Sequence, residues 1–459
     1  MATTTKTMSL AACGGCLALL TAALGGTAAA DTVSIGNPVD GSNGFGVVTE
    51  GDAVLGSTES EGPVAIGGDL SFGSGYNVAL HTPGSFTAPG DAQPTALLVG
   101  GRVDYAASDP TGVLRVLQNG YVKIGDMTGS QVMNTDANGA EVNTHIGRTG
   151  GGYAAIPHIE LTTREPAAAV GPADLMDFPS LFSTFRDRAD TMAACANNVT
   201  LLDGNENPLP DQQTVAPGSN VKIALTPGET NVLHVTGETL NNIANLTFLD
   251  QPSADTPFLV VVDTTATGGT FTWHTPNLAG VSGVNAPYML WDFPDATDIT
   301  IADGDTLDGT IYAPRANLTD LDPTNIQGDI IAKTLTAGPT AGSGGPVNAG
   351  EIHYFPFAAN LRCDDSGASP SPSDIPSPSP SDSPAPPPSD SPSPSPSDSR
   401  PPSPTPQPPT PAPAPSHAGP HLPDTGASAM HIAATVAALL VTCGAWLAVR
   451  AGRQRSRRS

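Results

Sequence analysis

The chain has 459 residues, with 44 acidic against 18 basic side chains and a net charge of −26 at neutral pH. So acidic a surface argues against nucleic acid and anionic lipid as partners and favours solubility outside a cell. Only 5% of the residues are aromatic, while 50 are glycine and 47 proline, which suits a narrow interior interrupted by frequent turns.

Residues 1–30 read as a secretory signal peptide. Lys6 gives a sparse positive start, Leu17 to Leu24 form an apolar run, and Ala28-Ala29-Ala30 is a small-residue site that places cleavage between Ala30 and Asp31. Leu10-Ala11-Ala12-Cys13 looks like a lipoprotein box, but its apolar stretch follows the cysteine where lipidation needs it before.

Residues 31–365 form the folded region. Val64-Ala65-Ile66, Leu97-Leu98-Val99, Tyr121 to Ile124, Phe258 to Val262 and Ile299-Thr300-Ile301 are short, β-rich runs separated by turn residues. Gly62-Pro-Val64-Ala-Ile66, Gly309-Thr-Ile311-Tyr-Ala313 and Gly328-Asp-Ile330-Ile-Ala332 repeat a turn glycine before alternating small apolar residues. The last two glycines are 19 positions apart, one coil of a solenoid. The predicted fold is mainly β: a right-handed parallel β-helix (β-solenoid) with one flanking helix, the alternative being a β-sandwich. That helix is expected over about residues 173–197. There Phe178, Phe182, Phe185, Ala189, Met192 and Ala196 fall three or four apart, Asn197-Asn198 form a stop, and the expected role is packing along the β body.

Candidate chemistry in this region is sparse. Asp303, Asp305 and Asp308 form its densest acidic cluster, but calcium loops place carboxylates at alternate positions and Asp308 falls one place late. They are weak calcium candidates, and a turn of solvated acids is the simpler reading. Asp320, Asp322, Asp329 and Glu351 offer the carboxylate pairs a glycosidase needs, as any acidic surface does. The only lysines here, Lys123, Lys222 and Lys333, are the candidate lyase bases. His274 and His353 sit among aromatic or apolar neighbours and read as packed histidines. The Gly67-Gly68 and Gly100-Gly101 pairs read as coil corners. No cofactor and no catalytic residue is expected.

Residues 366–421, rich in Pro, Ser and Asp, have little to bury and form a disordered, stiff wall-spanning linker. Its 56 residues reach roughly 170 Å as polyproline II. Leu422-Pro423-Asp424-Thr425-Gly426 follows, then an uncharged apolar span over 427–449 and a basic tail over 450–459 with Arg450, Arg453, Arg455, Arg457 and Arg458. In this order the elements closely resemble the cell-wall sorting signal of Gram-positive surface proteins. The resemblance implies that a membrane sortase cuts between Thr425 and Gly426 through a cysteine thiolate and transfers the Thr425 carboxyl to peptidoglycan. The chain would then be membrane-inserted only before sorting. It would end on the wall of a Gram-positive bacterium, of the high-G+C kind.

Removing both ends takes away six of the 18 basic residues and no acidic one, leaving 12 against 44, or −32. Two of the five cysteines remain, Cys195 and Cys363. In an oxidising setting a disulfide is the economical reading, two free thiols the alternative.

The folded region also resembles the choice-of-anchor A domain of bacterial surface proteins. The resemblance lies in Phe45 to Asp52, Ser60 to Leu70, Leu98 to Gly101, Leu290 to Pro294, Gly309 to Pro314, Gly328 to Lys333 and Glu351 to Phe357. It implies a β-helical, adhesin-like module without enzymatic activity, holding an extracellular ligand (host, matrix or glycan) that the sequence does not identify. The readings in competition are a wall-anchored carbohydrate-active β-helix enzyme and a structural wall component.

Overall fold

A computed structural model describes residues 32–339 and 349–364. The expected signal peptide with Ala30 and Asp31, the expected linker, Leu422 to Gly426, the apolar span and the basic tail lie outside the described residues. Among the described residues no helix is long and apolar enough to cross a membrane.

The predicted β-solenoid is what forms, and not a sandwich: short parallel strands stack coil on coil around one core. The first face runs, strand by strand, through Tyr121–Ile124, Thr95–Val99, Val64–Ile66, Val47–Thr49, Ile330–Ala337, Thr310–Asp320, Met289–Asp292, Phe258–Asp263 and Asn231–Thr236. The order is not that of the sequence. The early strand Val47–Thr49 lies in the middle, paired with Val64–Ile66 on one side and Ile330–Ala337 on the other. The chain builds outward to Tyr121–Ile124, crosses to the far end, and builds back from Asn231 until it meets its own beginning.

The glycine-led repeat stacks as a repeat should. Ile311 lies opposite Ile330, Ile330 opposite Val47 and Val47 opposite Val64, so 19 residues make one coil. A Cβ on Gly328 would sit 2.4 Å from the Gly309 carbonyl oxygen, which explains why this corner takes no side chain. The paired glycines stack likewise, Gly101 N–H donating to Gly68 O at 2.9 Å and Gly68 N–H to Gly51 O at 3.0 Å. The inward column is mostly aliphatic, with Phe72 and Tyr76 buried in the early coils, and near the later coils Phe271, Trp273, Trp291 and Phe293 form a ring cluster with centroids 5.1–6.2 Å apart.

Most outward residues of the first face are also apolar, with Lys123 and Asp292 as buried exceptions, and the long helix Phe178–Ala193 packs over this face. It is shorter than the periodic stretch. Residues 172–177 are not helical, and Asp177 caps the helix by accepting from Ser180 N–H at 3.1 Å, with Pro179 in the first turn where its missing N–H costs nothing. Phe178, Phe182, Phe185, Ala189 and Met192 are buried, while Ala196 lies beyond the helix, half-buried. Arg186 grips Glu50 with two bonds of 2.7 and 3.0 Å, and the Tyr312 hydroxyl donates to Phe185 O at 3.1 Å. Past the helix, Asn197 and Asn198 side-chain oxygens accept from His234 and Val232 N–H at 2.8 and 2.6 Å, satisfying the open edge of the outermost strand. Cys195 is bonded to Cys363, with Cα atoms 5.1 Å apart, and Thr32–Gly36 pairs antiparallel with Leu361–Asp364.

The second face stacks Thr270–Thr275, Asp298–Gly304, the later halves of Thr310–Asp320 and Ile330–Ala337, then Ala53–Leu55 and Leu70–Phe72. The third carries Val113–Val116, Tyr76–Val78, Glu59–Ser60, Ile352–His353, Ile326–Gln327 and Leu307–Asp308. At one end of the third face the ladder continues into His158–Leu161 and an antiparallel pair, Ser130–Thr135 and Glu141–Arg148.

Candidate functional site

The second face differs from the others in what it shows to solvent. The tripeptides Thr270-Phe271-Thr272, Asp298-Ile299-Thr300, Asn317-Leu318-Thr319 and Thr334-Leu335-Thr336 each turn their central apolar residue inward and two small polar residues outward. Strict alternation on a half-buried strand demands this. Parallel register then lines the threonines up. Thr272 lies opposite Thr300, Thr300 opposite Thr319 and Thr319 opposite Thr336, with Val54 and Ser71 continuing the column. Adjacent rungs are about 4.8 Å apart, so the six-strand column extends roughly 24 Å.

A second column, Thr270, Asp298, Asn317 and Thr334, runs beside the first about 6.6 Å away along the strands. It is internally bonded: Thr334 Oγ1 donates to Asn317 Oδ1 at 3.0 Å, and Asn317 Nδ2 donates to Asp298 Oδ1 at 3.0 Å. The Asn317 bond, with another from Thr297, holds the exposed Asp298 carboxyl below its ordinary range. The threonine column is not bonded in this way. Among the described residues, no partner binds the hydroxyls of Thr272, Thr300, Thr319 or Thr336. A rigid wall of small side chains, with one fixed row and one row of free hydroxyls, can meet a regular hydroxylated surface without reorganising.

None of these residues is a candidate from sequence. The signal is present, as a small polar residue, an apolar residue and threonine in succession. However, the threonines are spaced 28, 19 and 17 apart, and unequal coil lengths hide the register.

The sequence candidates are placed elsewhere. Asp303 is exposed and bonds His274 Nδ1 at 2.6 Å; Asp305 is exposed in the same turn; Asp308 turns inward on the next strand, where burial pushes its carboxyl up to about 6. The three do not come together as a ligand set among the described residues. His274 is exposed rather than packed, because alternation buries its neighbours Trp273 and Thr275 instead. His353 is half-buried, 3.0 Å from Glu351. Asp320, Asp322 and Asp329 are buried, and burial pushes Asp320 and Asp329 up to about 7. Lys123 is buried in ion pairs with Asp91 at 2.5 Å and Glu165 at 3.0 Å, while Lys222 pairs with Glu206. Lys333 is exposed. A cleft of about 980 Å³ beside the Cys195–Cys363 bond is lined by Asn198, Glu229, Asp255, Asn360 and Arg362 among others, and holds none of the candidate acids or lysines.

Residues 38–347 match the profile of a family described as "Putative Ice-binding-like adhesive domain". The chain belongs to this family. An ice-binding-like adhesive domain points to a surface module with a non-catalytic, adhesin-like role. No curated protein matches the chain significantly. Among solved structures, the crystal structure of an ice binding protein from an Antarctic biological consortium is similar over 70% of this chain and 90% of its own, at 11% identity and a TM-score of 0.24.

Proposed function

We propose that this protein is a non-catalytic adhesin, covalently held to the cell wall, whose ice-binding-like domain binds an extended hydroxyl-rich surface through the threonine face. The observation that carries this reading is the column of unbonded hydroxyls on Thr272, Thr300, Thr319 and Thr336, backed by the rigid bonded row beside it. Its repeat of about 4.8 Å along the coils and 6.6 Å along the strands presents donors and acceptors in a lattice. Many weak, aligned hydrogen bonds suit adhesion to a glycan layer, where no deep pocket is needed. The same lattice favours ordered water as a second ligand, in keeping with the family's description.

Anchoring supplies the rest of the function. Leu422 to Gly426 would be the sortase substrate, Thr425 the residue joined to peptidoglycan, and the proline-rich spacer the arm that carries the domain beyond the wall. The likeness to choice-of-anchor A domains supports this arrangement of one domain on a separable anchor.

Two experiments test the two halves. Thr319→Tyr raises a ring above the hydroxyl plane at a half-buried, outward-facing position, so binding to insoluble polysaccharides and adsorption to ice should fall about tenfold or more, equivalent to about 1.4 kcal/mol. Its melting temperature should hold. Undiminished binding to both surfaces rejects the threonine face. Thr425→Ala should move the protein from the wall fraction to the membrane or medium; a variant that stays in the detergent-extracted wall rejects sortase anchoring.

A further inference from the structure

At one end of the third face, Glu141–Arg148 pairs antiparallel with His158–Leu161, setting His145 directly opposite Glu160 and Gly147 opposite His158. His158 and Glu160 are two residues apart on one strand and so point to the same side. With no side chain on Gly147, the His145 and His158 rings stack, their centroids 4.4 Å apart, and Tyr153 stacks on His145 at 3.8 Å.

The orientation of the two imidazoles is fixed by backbone. His145 Nδ1 lies 2.9 Å from the Tyr153 carbonyl and His158 Nδ1 lies 2.9 Å from the Ala155 carbonyl. A carbonyl oxygen only accepts, so each Nδ1 carries the proton and donates, and each Nε2 presents a lone pair. Both lone-pair nitrogens face one oxygen, Glu160 Oε2, at 3.8 Å from His145 and 3.5 Å from His158. The other oxygen, Oε1, is held by Arg115 Nε at 2.7 Å. His158 is 5% exposed and its Nε2 is buried without a hydrogen-bond partner. Both separations exceed a hydrogen bond, so the three groups do not satisfy one another. This is the one set of three such donor atoms within 4.8 Å of one another among the described residues.

We propose that His145 Nε2, His158 Nε2 and Glu160 Oε2 form a binding site for a divalent transition metal of the zinc class. Bonds of about 2.0–2.2 Å in a tetrahedron put donor atoms about 3.3 Å apart; Glu160 Oε2 is within a few tenths of an ångström of that spacing from each Nε2, at 3.8 and 3.5 Å, and the stacked imidazoles tilt apart to aim both lone pairs at one ion. Two imidazoles and one carboxylate select zinc, cobalt or nickel over calcium and magnesium. The carbonyls on both Nδ1 atoms supply the outer-shell bonds that metal-bound histidines use to fix their tautomer. Glu160 is partly exposed, which leaves the fourth position to water. The ion would tie Glu141–Arg148 to His158–Leu161 and staple the antiparallel flap to the solenoid end.

The test uses the untagged full-length chain, stripped with a chelator and dialysed. Zinc titrated by calorimetry should bind one ion per chain at this site and raise the melting temperature, and cobalt should give a visible absorption band. His145→Gln and Glu160→Gln remove ligands at partly exposed positions where folding is preserved, and each should weaken zinc binding about 100-fold and abolish the cobalt band. Either variant that melts at the same temperature as the metal-free parent serves as the readout. The proposal is overturned if the parent gives no zinc-dependent stabilisation and no cobalt band. It is equally overturned if both persist unchanged in the variants, because the ion then binds elsewhere.

Discussion

Lys123 stands where a solenoid's covered face should carry an apolar side chain, opposite Leu98 and only 2% exposed. It persists because its ammonium donates to Glu165 and to the Ala169 carbonyl at 3.0 and 2.6 Å and pairs in charge with Asp91 at 2.5 Å. Removing one member of a buried ion cluster leaves the others charged in a poor dielectric, so Lys123→Ala should destabilise the fold by about 3–5 kcal/mol in denaturant titration. A loss below about 1 kcal/mol would show that water compensates the two carboxylates. Asp320 and Asp329 have no such cation among the described residues, and burial pushes both carboxyls from 3.8 up to about 7. The folded state then binds more protons than the unfolded one between those values. Their stabilising contribution is fully present below about pH 4 and is lost as pH rises through 7, on the order of 4 kcal/mol for each group. The protein should melt at a higher temperature at pH 5 than at pH 8. Asp329→Asn, which keeps an acceptor for the Phe357 N–H that Oδ2 binds at 2.9 Å, should flatten part of that dependence. A melting temperature that rises from pH 5 to pH 8, with no effect of Asp329→Asn, would contradict the assignment.

The helix Phe178–Ala193 shows what a strong local period reveals and what it hides. Its buried side chains are legible because steps of three and four put Phe178, Phe182, Phe185, Ala189 and Met192 on one face whatever lies beneath. Its ends are not, since they depend on the Asp177 cap and on the turn toward Cys195. The coil repeat was legible for a similar reason: Gly309 and Gly328 are separated by one full turn of chain with no insertion. The threonine face was not, because its rungs come from coils of unequal length and from strands at opposite ends of the folded sequence, Thr336 beside Val54. Phe185 is one of the helix side chains packed on the solenoid, its ring edge-on to Tyr312 of the β body at 5.8 Å and to Phe182 of the helix at 5.4 Å. Phe185→Ala should cost about 3–5 kcal/mol, read as a lower denaturant midpoint. A near-neutral result would mean that the other buried side chains of the helix and the salt links Arg186–Glu50 and Arg315–Asp190 hold it without this ring.

A solenoid in simple sequence order is quasi-one-dimensional, and its coils can fray or fold in separate blocks because each touches only its neighbours. The order of coils here removes that freedom. Val47–Thr49 is shared, pairing with the early coils through Val64–Ile66 and with the late coils through Ile330–Ala337, so neither half has a complete stack without the other. The helix bridges them along one face. The Cys195–Cys363 bond then ties the helix exit to the final strand, and that strand pairs with Thr32–Gly36 at the beginning of the domain. The bond closes a loop of 168 residues, worth about 5 kcal/mol in the chain-entropy account. Two consequences are measurable in the same calorimeter. With the bond intact, unfolding should be one transition whose calorimetric and van't Hoff enthalpies agree. After reduction and alkylation the transition should move to lower temperature by several degrees. If the oxidised protein instead shows two resolved transitions, the early and late coils unfold independently, and the shared strand does not couple them.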